Sequence, residues 1–193
     1  MSNDFEDCEE PENTGQVFSK ETEREALCLF LKARASATGE TLTLESDSES
    51  PDFICTRPDG SKVGVEHTMI AFNSEQTERR RIMREEHDGN DNFELAWSAA
   101  AAISKKEEKR CKPHWKLPEA TILVLDLPEG ERMEDWPDES DLAAEFSGSG
   151  FLEIWISDHS SLETHGAVTA IGLYPAKIWG IQGQGYLWAP PYK

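Results

Sequence analysis

The chain has 193 residues and a formal net charge of −19, from 19 Lys and Arg against 38 Asp and Glu, with 37% hydrophobic and 30% charged residues. A chain of this length builds one domain whose core needs no staples. Its acidity disfavours a nonspecific nucleic-acid coat, a polybasic membrane-surface binder or a heparin-type binder. No apolar run approaches the roughly 18 residues of a membrane span. The opening MSNDFEDCEE is acidic, where a secretory signal is basic and then apolar. Cysteines at 8, 28, 55 and 111 form no CxxC pair and read as free thiols in a reducing cytoplasm, the expected location.

Residues 1–16 carry almost no aliphatic side chains and are expected to be a disordered acidic tail ahead of a single domain, 17–193. A helix begins near Ser19, a good N-cap with Glu21 in the first turn, and ends at Gly39. Ala26, Leu29, Phe30, Ala33 and Ala37 make its apolar face. Three strand signals follow, at 41–44, 52–56 and 62–68. The last two flank Arg57-Pro58-Asp59-Gly60-Ser61, which is turn chemistry, so they predict a hairpin.

Residues 74–89 form a charged helix or lid. Asp91 or Asn92 caps a longer helix running to about Cys111, with Phe93, Ala96, Trp97, Ala100 and Ile103 as its apolar face and Ser98, Ala102, Lys105, Lys109 and Lys112 opposite. Residues 121–125 are a continuous apolar run, a strand buried on both faces. A short helix at 139–146, a buried strand at 151–156 and a last hairpin over 167–174 and 177–188 complete the chain. The order predicts an α/β fold, a central mixed sheet with flanking helices and C-terminal strands. The six Trp read as core and edge packing.

The hairpin carries the most informative chemistry. With Thr56 opposite Lys62, Ile54 faces Gly64 and Asp52 faces Glu66. Opposed residues share a sheet face, their Cβ atoms about 4.5–5.5 Å apart. Two carboxylates so placed repel unless a divalent cation lies between them, and Mg²⁺ or Mn²⁺ suits such hard oxygen ligands. A slip of one residue would put them on opposite faces. The Arg-dense run Glu78–Arg84 begins shortly after Glu66, and Arg79, Arg80, Arg81 and Arg84 are candidates to hold phosphates.

Helix, three strands with Pro51-Asp52 on the second and Glu66 on the third, then helix and strand: over roughly residues 19–127 this resembles the PD-(D/E)XK nuclease superfamily, with its restriction-endonuclease-like αβββαβ core. The resemblance implies Asp52 and Glu66 as metal ligands, with the His67 carbonyl as a third. The family motif has Lys two residues after the second acid, where this chain has Thr68. Some members carry that lysine on the following helix, which points to Lys106, beside the apolar stripe. Many members also direct a glutamate from the first helix at the site. Glu23, which shares a face with Ala26, Leu27 and Phe30, is the matching residue.

Two functions follow. One is a divalent-metal-dependent nuclease hydrolysing phosphodiester bonds in nucleic acid, DNA ahead of RNA, with Asp52, Glu66, Lys106 and Glu23 as its catalytic set. The other is an inactive nuclease-fold module, an acidic immunity or inhibitor protein that binds a basic partner. Thr68 and the charge favour the second. The acid pair is the more specific signal and favours the first.

Overall fold

The computed structural model describes residues 20–86, 92–128, 149–160, 168–174 and 179–181. The acidic tail, the 139–146 helix and parts of the last hairpin lie outside them. Helix α1 (Lys20–Thr38) is followed by strands β1 (Thr43–Asp47), β2 (Phe53–Thr56) and β3 (Lys62–Met69). Helices α2 (Ser74–Glu86) and α3 (Asn92–Arg110) lead to β4 (Thr121–Asp126), then β5 (Glu153–Asp158), β6 (Thr169–Tyr174) and β7 (Trp179–Ile181). The seven described strands form one sheet in chain order. Strands β3, β4 and β5 run parallel, and every other neighbouring pair is antiparallel. This is a mixed α/β sheet.

Alternation along the strands divides the core between the two faces. On one face, Leu27, Phe30, Leu31 and Ala33 of α1 cover Phe53, Val65, Ile122, Val124 and Trp155. On the other, Leu95, Ala99 and Ile103 of α3 cover Leu123, Leu125, Ile154 and Ile156. All of β5 and nearly all of β4 are buried, as strands covered on both faces must be.

Local signals place the boundaries. Gly39 ends α1 at φ +74°, its N–H donating to the Ala35 carbonyl at 2.9 Å. In the 57–61 turn, Gly60 takes φ +85°, and Asp59 Oδ1 accepts from the Ser61 N–H at 2.8 Å. The register is Thr56 opposite Lys62, Ile54 opposite Gly64 and Phe53 opposite Val65.

Some expectations need correction, among them the apolar face of α1, which buries Leu27 and Leu31 in place of Leu29. The first strand runs 43–47, not 41–44: its acids cross to basic partners, Glu45 to Lys62 and Asp47 to Arg24 (2.6 Å), which suits an exposed edge. The apolar face of α3 is also rotated. Trp97 is 75% exposed, whereas Leu95, Ala96, Ser98, Ala99 and Ile103 are buried. A run rich in alanine gives the helical pattern little contrast, and Leu95 with Ala99, four residues apart, sets the buried side.

Candidate active site

Pro51 lies buried against β3. A Cβ on Gly64 would stand 2.5 Å from its Cγ, so only glycine lets the bend before β2 sit this close. That contact sets Asp52 beside Glu66. The Asp52 N–H donates to Glu66 Oε2 (3.1 Å), and the His67 N–H donates to Asp52 Oδ2 (2.9 Å). The two acids are thus cross-tied through backbone.

Lys106, half-buried on α3, closes the cluster. Its ammonium pairs with Glu66 Oε1 and lies 3.4 Å from the His67 carbonyl oxygen. Burial is the largest influence on Glu66 and raises its pKa, as does the Asp52 charge; the Lys106 charge and hydrogen bond only partly oppose them. Thr68 carries no charge to this cluster, and the ammonium comes from the helix across that face.

Glu23 is placed differently. It pairs with Lys20 (2.9 Å) on α1, and its charge acts on His67. Lys20, which sequence reasoning did not single out, feels Asp52 as well as Glu23 and has a raised pKa, chiefly through its hydrogen bond to Glu23. On α2, Arg81 turns to Glu78 of its own helix through Nε (3.0 Å) and Nη2 (2.7 Å). The side chains of Arg79, Arg80 and Arg84 lie outside the described residues.

A second polar cluster went unpredicted. At the C-terminal ends of the parallel strands, His67 Nδ1 meets Asp126 Oδ2 (3.0 Å), while His159 Nε2 meets Asp126 Oδ1 (3.2 Å) and Ser157 Oγ (3.1 Å). Burial alone would raise the Asp126 pKa, but the His67 charge and the histidine hydrogen bonds take it down to about 2. Burial alone would lower that of His67, but Asp126, Asp52 and Glu23 raise it. The signal in the sequence was Asp126 ending a buried strand. Its partners became visible only once β3 and β5 flanked β4.

The donor set fits a hard divalent cation: two carboxylates, one buried and destabilised by the other's charge, with a backbone carbonyl alongside. Among the described residues no three His, Cys, Asp or Glu side chains gather as a metal-binding group. No helix among them is long and apolar enough to cross a membrane. In comparisons with known proteins, no family model matches the chain, and no curated protein or solved structure matches it.

Proposed function

We propose that this protein is a divalent-metal-dependent, nuclease-like hydrolase of phosphodiester bonds, built on a restriction-endonuclease-like core. The observation that carries the reading is the joining of Asp52, Glu66, the His67 carbonyl and the Lys106 ammonium in one cluster. Asp52, Glu66 and the His67 carbonyl would hold Mg²⁺ or Mn²⁺, which when bound lowers the pKa of a water and polarises the scissile phosphate. Lys106 orients that water and offsets charge on the phosphoryl oxygens. Glu23 supports the site through His67 and Lys20. The test is cleavage of end-labelled duplex DNA, single-stranded DNA and RNA with Mg²⁺, Mn²⁺ or chelator. Wild type should cut one of them only with metal. Asp52→Ala and Lys106→Met should lower the rate about a hundredfold or more.

A second reading has its own support. The Lys106 ammonium lies on two of the three groups a cation would use, Glu66 and the His67 carbonyl. A lysine that permanently replaced the ion would leave an inactive acidic module for a basic partner protein. In that case wild type cuts nothing with either metal, and Lys106→Met gains metal binding that wild type lacks.

A further inference from the structure

We propose that residues 105–116 form the cradle for the phosphate backbone of a nucleic acid, an inference that rests on the nuclease reading. In a chain with 38 acids and 19 bases, this twelve-residue segment holds six of the bases (Lys105, Lys106, Lys109, Arg110, Lys112, Lys116) and only two acids. Of those two, Glu107 is taken by Arg110 through Nε (2.8 Å) and Nη2 (2.7 Å). Glu108 stays exposed. Lys105, Lys109 and Lys112 are exposed and make no ion pair among the described residues.

The segment is fixed against the site. Trp115 is buried and donates through Nε1 to Thr121 Oγ1 (3.2 Å). The Lys116 N–H donates to the Ser50 carbonyl (2.8 Å), and its Nζ donates to Ser48 Oγ (3.2 Å), so the segment borders the bend carrying Asp52. At its other end Lys106 reaches Glu66. Lys105 and Lys109, four residues apart, share one helix face. Lysines in the last turn also complement the helix dipole, but Lys112 and Lys116 lie beyond the end of α3. Basic side chains leading to a phosphodiester-cleaving site match a polyphosphate chain better than an acidic polypeptide.

The test is anisotropy of labelled duplex DNA, RNA and polyglutamate with the full chain in chelator, across a salt series. Lys109→Glu and Lys112→Glu should each weaken binding about tenfold and flatten the slope of log K on log salt by about 0.9 for each phosphate no longer neutralised. Lys32→Glu makes the same charge change on α1, across the sheet, and should weaken binding less than twofold. Equal losses in all three variants overturn the cradle, as does wild type that binds neither nucleic acid. Loss of polyglutamate binding with nucleic-acid binding intact also overturns it, assigning the segment to an acidic polypeptide. Metal-dependent cleavage by wild type, with lysine variants that bind like Lys32→Glu, removes the cradle and keeps the nuclease. Binding at these lysines without cleavage in Mg²⁺ or Mn²⁺ keeps the cradle and removes the enzyme.

Discussion

Lys106 carries two burdens at the scale of a single residue. Its side chain is 15% exposed and that of Glu66 only 5%, so the pair is largely dry. Removing one member of a buried pair leaves an uncompensated charge and costs about 3 kcal/mol. Lys106→Met should therefore lower metal-free stability by about that amount in urea unfolding, and Mg²⁺ should restore part of it. The Glu66 pKa is already raised, so its stabilising contribution is full below the unfolded value near 4.3 and is lost as pH rises through the folded value. The variant should accordingly lose most stability toward neutral pH. Asp126 behaves oppositely. Held down to about 2, it contributes stability above its unfolded value near 3.9 that disappears as pH falls toward 2. The contribution is about 2–3 kcal/mol. Urea midpoints measured from pH 6 to 2 should fall less steeply for Asp126→Asn than for wild type.

Gly64 is the point at which two elements meet, since the Pro51 ring occupies the space a side chain would need. Gly64→Ala should push the Asp52 bend away from β3. Cleavage should fall more than tenfold while the circular dichroism spectrum keeps its wild-type form, because a misplacement of about 1 Å costs on the order of a hundredfold. Unchanged cleavage would separate the bend from the chemistry. The register behind this argument was legible in the sequence, because a five-residue turn and two short alternating runs leave little freedom: Thr56 meets Lys62 and Ile54 meets Gly64 as expected. The reach of Lys106 was partly legible, from its place one turn after Ile103. Other features depend on which distant strands become neighbours. Arg34 of α1 is 2% exposed and held by Glu153 of β5 at 2.6 Å and 2.7 Å, with Trp155 donating to the same carboxylate at 2.7 Å. The Asp126 cluster likewise needs β3, β4 and β5 side by side. Local pattern carries no information on such parallel pairing, whose partners are separated by long crossovers.

For the whole molecule, the excess of acid over base is a handicap for any protein that approaches a polyanion. It is not spread evenly. Glu66, tied to Asp52 through the Asp52 N–H, faces Lys106, and the basic segment 105–116 borders the same bend. A cation between the two acids would lower the local negative charge at the place a phosphate must come. Metal-dependent cleavage therefore requires that this pair hold a divalent ion. Calorimetric titration of Mn²⁺ into wild type and Asp52→Ala measures that most directly. The expected result is saturable binding in wild type at one site per chain, lost in Asp52→Ala and retained in Lys106→Met. Heats indistinguishable between wild type and Asp52→Ala, or no binding by wild type, would contradict it.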